Sequence, residues 1–289
     1  MGNGLRQIGY TTPMKFDLHC HTTASDGALE PRALLQLALE RNISHIAITD
    51  HDTIAAYDQL EVPPGITVIP GVEFSSQWCR RGIHIVGLNF DPASAAIRQG
   101  VARHRKARRE RAEKIASRLA KAGVPNPFEG AIAQAGGDHN LGRPHFARHM
   151  VACGFVGDES EAFKRYLGNG KVGDIRECWA GPEEVVAWIR AAGGTAVLAH
   201  PEKYQLTRTR LTALLTAFRQ WGGEGLEVVS GRQLPRVTAD LAHWCNRYEL
   251  RASWGSDFHR PGQPWSDLGN YSTPPANLST VWQGWFEGC

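Results

Sequence analysis

The segment FDLHCHTTASDG, residues 16–27, combines a short apolar strand pattern with a His-x-His pair. Phe16 to His21 has the character of a buried β-strand, and side chains two positions apart in a strand point to the same face. His19 and His21 therefore project together, and Asp26 follows a few residues later. The segment predicts a strand whose carboxyl end carries metal-binding or catalytic groups.

Similar apolar runs recur along the chain and alternate with helical patterns such as Pro31–Asn42 and Pro182–Gly194, which carry start and stop signals. The runs are hydrophobic along their whole length, as is typical of strands buried on both faces. This alternation predicts a parallel α/β architecture. The predicted strands are Phe16–His21, Ser44–Thr49, Ile66–Phe74, His84–Phe90, Thr195–Pro201, Gly225–Ser230 and Leu250–His259.

The alternation of strand and helix patterns is interrupted between Ile97 and Gly181. This interval begins with a long basic helical pattern, Val101–Gly123, and continues through helical pieces punctuated by Gly and Pro, without a strand pattern. We therefore predict that the main domain is formed by residues 14–96 and 182–275, with a mainly helical insertion at 97–181.

Composition excludes several classes of protein. The 289 residues are 42% hydrophobic and 21% charged, as in ordinary globular proteins, and no apolar run approaches the roughly 18–20 residues of a membrane span. No secretion signal is evident, so the cytoplasm is the expected compartment. The six cysteines form no CxxC pair, which argues against a disulfide framework or a cysteine zinc site. A net charge of +3 does not by itself indicate nucleic-acid binding.

Ionisable residues cluster at the ends of the predicted strands, which in barrels and open α/β sheets is where active sites form. A single buried His is more typical of a hydrogen-bonded core residue, but the joint pattern favours metal binding. Imidazole and carboxylate ligands suit Zn²⁺, Mn²⁺ or Fe²⁺, and so many ligands indicate two or three ions. Asp50 is expected to orient His51 from behind. The predicted ligands are His19, His21, Asp26, His51, Glu73, His84, His200, Asp257 and His259.

The ordered motifs FDLHCH with SDG, TDHD, GVEFS, AHP and GSDFH resemble those of the polymerase and histidinol phosphatase (PHP) family, over residues 14 to about 275. The resemblance implies a distorted barrel of about seven β/α units and a site for three metal ions, with Mn²⁺ favoured over Zn²⁺ or Fe²⁺. It implies one ion held by His19, His21, Glu73 and Asp257, a second by Glu73, His84 and His200, and a third by Asp26, His51 and His259.

The resemblance is greatest to the nucleotide branch of that family. It implies a phosphoesterase that removes the 3′-phosphate from nucleoside 3′,5′-bisphosphates, trims 5′-monophosphorylated RNA in the 5′-to-3′ direction, or does both. Bound metal ions would activate water for attack on phosphorus. No protein partner is implied. A phosphatase of small metabolites such as histidinol phosphate, and a non-catalytic metal-binding module, remain as alternatives. The implied catalytic residues are His19, His21, Glu73, Asp257 and His200, the last a candidate general acid.

Phosphate groups need cationic or backbone donors. Arg105 and Arg108, with Arg111, are predicted to share one stripe of the basic helix, although a solvated basic face is an alternative. Arg143 and His145, in GRPHFARH, and Lys171, in GNGK, match family positions expected to contact the substrate phosphate. For Tyr204, stacking on a base and a purely structural role are both open.

Overall fold

The computed structural model describes residues 14–137, 140–175 and 179–286. All of the predicted strands form, and they make one seven-stranded sheet in which each strand pairs with the next along the chain. The strands are β1 (Phe16–Cys20), β2 (His45–Ile48), β3 (Thr67–Trp78), β4 (Arg81–Leu88), β5 (Thr195–Leu198), β6 (Gly225–Ser230) and β7 (Arg251–Gly255).

The sheet curls until its two edge strands meet. His21 donates its backbone N–H to Phe258 O at 2.8 Å, and Asp257 donates to His19 O at 2.8 Å. Gly255 makes this approach sterically feasible, because a Cβ there would lie 2.5 Å from the backbone nitrogen of His19. The predicted distorted barrel is therefore confirmed, closed between β1 and the chain that follows β7.

The prediction of a parallel sheet is wrong for one strand. β4 is antiparallel to both β3 and β5, whereas the other neighbouring pairs are parallel. β3 and β4 form a hairpin whose turn is Cys79–Arg80, and β3 continues past Glu73 to Trp78. Glu73 is therefore inside a strand rather than at its end. Because β4 runs in reverse, His84 in its first half still faces the edge where the parallel strands end.

The helices follow the predicted order, with α1 and α6 ending at Glu40 and Ala191, a few residues earlier than expected. α6, α7 and α8 pack their apolar faces on the sheet, and Trp188 and Trp244 contribute to this core as predicted from their helix positions. The helices are α1 (Pro31–Glu40), α2 (Ala95–Lys121), α3 (Pro127–Ala135), α4 (Arg143–Ala152), α5 (Glu159–Ala162), α6 (Pro182–Ala191), α7 (Arg208–Gln220) and α8 (Pro235–Arg247).

The interval between β4 and β5 contains only helices and turns among its described residues, and it has a hydrophobic cluster of its own. Ile115 and Leu119 of α2 pack there against Phe146 and Met150 of α4. This helical layer holds one face of α2 against the barrel edge. The boundaries 97 and 181 of the insertion remain a prediction.

Candidate metal centre

All nine predicted ligand side chains converge at one edge of the barrel. His19 projects from β1, and His21 follows directly after that strand; Glu73 projects from β3 and His84 from β4. The remaining five follow strands in connecting segments. Their ligand atoms form four overlapping groups of three or four, each close enough to surround one ion: His21, Asp26, His51 and His259; His19, Glu73 and His200; His19, His21 and Asp257; and His51, Glu73 and His84.

Glu73 is the centre of this cluster and is only 1% exposed. Its Oε1 lies 2.7 Å from His84 Nδ1 and 2.8 Å from His200 Nε2. Its Oε2 lies 3.0 Å from His51 Nδ1 and 3.4 Å from Nε2 of both His19 and His21. Two ligands about 2.1 Å from one ion are separated by roughly 3.0–3.5 Å, so the Oε2 contacts have the spacing of ligands around shared metal ions.

His19 and His21 also face Asp257. Nε2 of His19 lies 3.5 Å from Asp257 Oδ1, and Nε2 of His21 lies 3.4 Å from the same oxygen. Asp26 approaches from the other side, with Oδ1 3.5 Å from His259 Nε2 and Oδ2 3.8 Å from His51 Nε2. Gly27 permits the tight turn that carries Asp26, because a Cβ there would lie 2.4 Å from His21 O.

The unpaired atoms of the cluster fit a metal centre. Within the described residues, His19 Nε2, both ring nitrogens of His21, His51 Nδ1 and Glu73 Oε2 are buried without a hydrogen-bond partner. Buried polar atoms are rarely left unpaired, because desolvation without a partner costs about 1–3 kcal/mol per group. Divalent cations would satisfy one nitrogen of each of these imidazoles together with the Glu73 oxygen, and imidazole with carboxylate is a donor set that Mn²⁺, Zn²⁺ and Fe²⁺ all accept.

The backbone is strained at two of the proposed ligands. His200 has φ 24° and Asp257 has φ 53°, in the left-handed region that side chains other than Gly seldom adopt. Such strain persists where surrounding contacts enforce it, and it is concentrated at functional sites. In both cases the residue turns the chain inward directly after a strand, which directs its side chain to the cluster.

Glu227 supports the cluster and was missed from the sequence. It is buried in β6, where its Oε1 lies 2.8 Å from His19 Nδ1 and its Oε2 accepts the backbone N–H of His200 at 2.6 Å. A carboxylate that holds the proton of one ring nitrogen leaves the other nitrogen available to a metal. Glu227 therefore fixes His19 with Nε2 directed at Glu73 and Asp257.

Replacement of Glu227 by Gln is expected to weaken metal binding by about 10–100-fold while preserving the fold. The amide keeps the shape of the side chain but removes the charge that holds the His19 tautomer. Titration of the apoprotein with Mn²⁺ by calorimetry measures the change. Glu224→Gln, which removes a partly exposed partner of Arg251 just before the same strand, is the matched control. Equal Mn²⁺ affinities for Glu227→Gln and the wild type would show that Glu227 does not support metal binding through His19.

Asp50 does not orient His51 as predicted. Its Oδ1 accepts the backbone N–H of Thr22 at 2.7 Å, and its Oδ2 accepts the Thr22 hydroxyl at 2.6 Å. The Ser25 hydroxyl also donates to it. Asp50 therefore stabilises the turn that carries Asp26, and its effect on the cluster is exerted through that turn.

A cavity of about 390 Å³ joins the cluster to several cationic side chains. Arg108 and Arg143 line it, in agreement with their prediction as phosphate-binding residues, and Arg111 also lines it. Arg81 in the β3–β4 hairpin and Lys203, which pairs with Asp257, also line it and were not anticipated. One cavity therefore presents the predicted metal ligands on one wall and guanidinium groups on another.

Arg108 is held by Asp52, a residue that the sequence analysis did not single out. Its Nε donates to Asp52 Oδ2 at 2.7 Å, and His104 Nδ1 lies 2.6 Å from Asp52 Oδ1. Asp52 also accepts hydrogen bonds from Ser75 N and Oγ, which ties this arginine to β3. Burial opposes ionisation of Asp52, but Arg108 and His104 outweigh it and lower its pKa below the usual value. The carboxylate is thus charged and the guanidinium fixed at the cavity wall.

Trp179 also lines the cavity and was not predicted to do so. Its ring lies 5.4 Å from the guanidinium carbon of Arg108 and 5.3 Å from that of Arg111. Arg111 further donates from Nε to Ile175 O at 2.8 Å. Stacking on an aromatic face orients the planar groups without using all of their N–H donors.

Three residues that were predicted to contact the substrate do not line this cavity. Arg105 is exposed on another side of α2 and lines a separate depression, because the helix turns it away from Arg108. Lys171 is exposed and does not line the cavity. His145 is 2% exposed, and its Nδ1 accepts the N–H of Gly142 at 2.9 Å. Burial lowers its pKa to about 4, so it is a neutral residue that shapes the start of α4.

Of the two roles considered for Tyr204, stacking on a base and a structural role, its contacts favour the structural one. It is buried, its hydroxyl accepts the N–H of His84 at 2.8 Å, and it donates to Ala199 O at 2.6 Å. The phenol therefore bridges β4 and the end of β5 beneath the cluster. Its position fixes the backbone of His84.

The sequence relatives of the chain agree with this geometry. Residues 17–126 match the PHP domain family. A 5′-3′ exoribonuclease from Haemophilus influenzae is 41% identical over 272 residues, which cover 93% of this chain and 98% of that protein. The chain belongs to the PHP family. A second relative, the 3′,5′-nucleoside bisphosphate phosphatase of Chromobacterium violaceum, is 38% identical over 92% of this chain and 95% of its own length.

Solved structures of PHP-type proteins confirm the fold. The structure of a Chromobacterium violaceum amidohydrolase, described with bound sulfate and no metal, matches with a TM-score of 0.85 and 38% identity, covering 93% of this chain and 95% of that one. A putative metal-dependent phosphoesterase from Bifidobacterium adolescentis matches with a TM-score of 0.76 and 29% identity, covering 93% and 94%. This PHP chain is thus a member of a family of metal-dependent phosphoesterases.

Among its described residues, no helix is long and apolar enough to cross a bilayer.

Proposed function

We propose that this protein hydrolyses the 3′-phosphate of nucleoside 3′,5′-bisphosphates and removes nucleotides from the 5′ end of 5′-monophosphorylated RNA. The observation that carries the proposal is the single cavity in which the ligand cluster faces Arg108, Arg111 and Arg143. A substrate with one phosphate at the metal ions and a second, charged phosphate a ribose away fits that arrangement. The activities named for the two sequence relatives are of these two kinds.

Both reactions use the same chemistry. A 5′-phosphate bound by the guanidinium groups would place the 3′-phosphorus at the metal cluster, and water attack would release the 3′-oxygen in either case. Guanidinium groups bind phosphate through paired N–H donors and keep their charge at any physiological pH. One anchor and one reaction centre therefore serve a bisphosphate and an RNA end.

The nine side chains are proposed to hold three ions. His19, His21, Glu73 and Asp257 form one set, and Glu73 with His84 and His200 forms a second. Asp26, His51 and His259 form the third, and His21 belongs to the same group of neighbouring side chains. The ions would supply an activated water and neutralise phosphoryl charge. We propose Mn²⁺ as the working ion, with Zn²⁺ and Fe²⁺ compatible with the same donors, and place the enzyme in the cytoplasm, where its substrates arise.

A substrate panel tests the proposal. We expect the Mn²⁺-loaded protein to hydrolyse adenosine 3′,5′-bisphosphate and a 5′-phosphorylated oligoribonucleotide, and to act at least about tenfold less efficiently on 3′-AMP or a 5′-hydroxyl oligomer, which lack the anchored group. EDTA should abolish turnover and Mn²⁺ restore it. Preference for histidinol phosphate would contradict the nucleotide assignment. Absence of hydrolysis in both metal states would instead indicate a metal-binding module.

A further inference from the structure

The outer face of α2 carries cations that the metal cavity does not use. Arg98, Arg105, Lys106 and Arg109 line a separate depression of about 960 Å³. The span from the first to the last of these is 11 residues, or about 16 Å along the helix. Within the described chain, the side chains of Arg105 and Lys106 form no ion pair or hydrogen bond.

The opposite wall of this depression is partly apolar. Ile54 and Tyr57 line it, together with the acidic Asp58 and Asp91. The Tyr57 hydroxyl points inward, accepting the N–H of Gly71 at 2.7 Å and donating to Ile48 O. The half-buried phenol ring is thereby fixed at the wall. Cations on one side and a fixed aromatic ring on the other are the elements with which proteins bind single-stranded nucleic acids.

Residues that are close in sequence line the depression and the metal cavity at two places. His51 lines the cavity and Ile54 lines the depression, and three residues of chain span at most about 11 Å. On α2, Arg108 lines the cavity while the next residue, Arg109, lines the depression. The depression is therefore near enough to the metal cavity for an RNA chain that leaves the cavity on this side to reach it.

We propose that this depression binds the single-stranded RNA that follows the nucleotide being removed. The proposal rests on the exoribonuclease activity proposed above and adds a second contact for long substrates. Arg105 and Lys106 would contact backbone phosphates, and the Tyr57 ring would stack on a base. Because phosphate and base faces are common to all sequences, this contact gives RNA length dependence without sequence preference.

The test compares Arg105→Ala/Lys106→Ala with Arg210→Ala/Arg236→Ala, which removes the same charge from exposed positions on α7 and α8. Three substrates are assayed: adenosine 3′,5′-bisphosphate, a 5′-phosphorylated dinucleotide and a 5′-phosphorylated 12-mer. The first variant should lose about tenfold in kcat/KM on the 12-mer and change less than about twofold on the other two. Its salt dependence on the 12-mer should be shallower by about one to two units of log–log slope. The control variant should match the wild type.

An unchanged 12-mer rate, or an equal loss on all three substrates, would overturn the proposal. If the wild type hydrolyses the bisphosphate and not RNA, the exoribonuclease assignment fails separately. Fluorescence anisotropy with a labelled 12-mer in EDTA then decides the binding claim. Weaker binding by Arg105→Ala/Lys106→Ala than by the control supports the site, and equal binding rules it out.

Discussion

Replacement of Glu73 by Gln is expected to lower kcat/KM for adenosine 3′,5′-bisphosphate by about a thousandfold or more, because metal ions contribute several kcal/mol to phosphoryl-transfer catalysis. Both oxygens of Glu73 face imidazoles of the cluster, at 2.7 Å from His84 and 3.0 Å from His51. A Gln side chain has one oxygen and an NH₂ group, which cannot bind a cation. Bound Mn²⁺ should fall by at least one equivalent in mass spectrometry of the purified protein.

The control for this experiment is Glu40→Gln, the same change at the end of α1, which should leave turnover and metal content unchanged. Circular dichroism should show that Glu73→Gln retains its secondary structure. A folded Glu73→Gln protein with wild-type turnover and metal content would show that the carboxylate is not a ligand.

Replacement of Arg143 by Ala is expected to raise KM for adenosine 3′,5′-bisphosphate by about 10–100-fold, the size of a lost charge-assisted contact of 1.5–3 kcal/mol. The side chain is 30% exposed and lines the cavity beside Phe163. Because Arg143 is not among the metal ligands, Mn²⁺ content should not change. Hydrolysis of 3′-AMP, which lacks a 5′-phosphate, should be nearly unaffected. Steady-state kinetics on the two nucleotides measure the difference.

Arg165→Ala is the matched control, since Arg165 is exposed, pairs with Glu161 and does not line the cavity. It should behave as the wild type on both substrates. An Arg143→Ala enzyme with unchanged KM for the bisphosphate would contradict the 5′-phosphate anchor while leaving the metal centre untested. Equal losses on both nucleotides would indicate a general effect on the site.

The sequence predicted the number and order of strands, because continuous apolar runs are a strong signal of buried strands. It did not predict the direction of β4, since an apolar run looks the same in a parallel and an antiparallel strand. The segment SSQWCRRG, residues 75–82, is polar enough to resemble a long loop, although all but its central turn is β-structure. A two-residue hairpin turn was the available signal, and its sequence, Cys79–Arg80, lacks the usual Asn or Gly.

Eight of the nine proposed metal ligands were predictable because they lie in compact motifs, and five motifs in a fixed order constrain one another; His84 lies outside these motifs. Glu227 lies outside these motifs, and Asp52, although it ends the TDHD motif, has partners that are distant in sequence, so neither role was predictable. Glu227 gave one signal, as a charged residue within the apolar strand GLEVVS. A buried charge requires a partner, so a strand that places one inward indicates a second polar group nearby.

Helical periodicity alone did not predict which arginines of α2 line the cavity. Spacing correctly placed Arg108 and Arg111 on a common side, but it did not determine which side faces the barrel. His104 and Ala107 define the buried face, and Arg105 lies outside it. Only the packing of α2 on the barrel edge and on α6 separates cavity-lining from outward-facing cations.

Nine side chains are proposed to hold divalent cations at the edge of the barrel. Anomalous scattering from a crystal grown with Mn²⁺, recorded at the manganese absorption edge, tests this proposal most directly. Peaks between Glu73 and the surrounding imidazoles, lost in a matched crystal grown with EDTA, are the predicted result. Density for all nine side chains without any anomalous peak among them would contradict it.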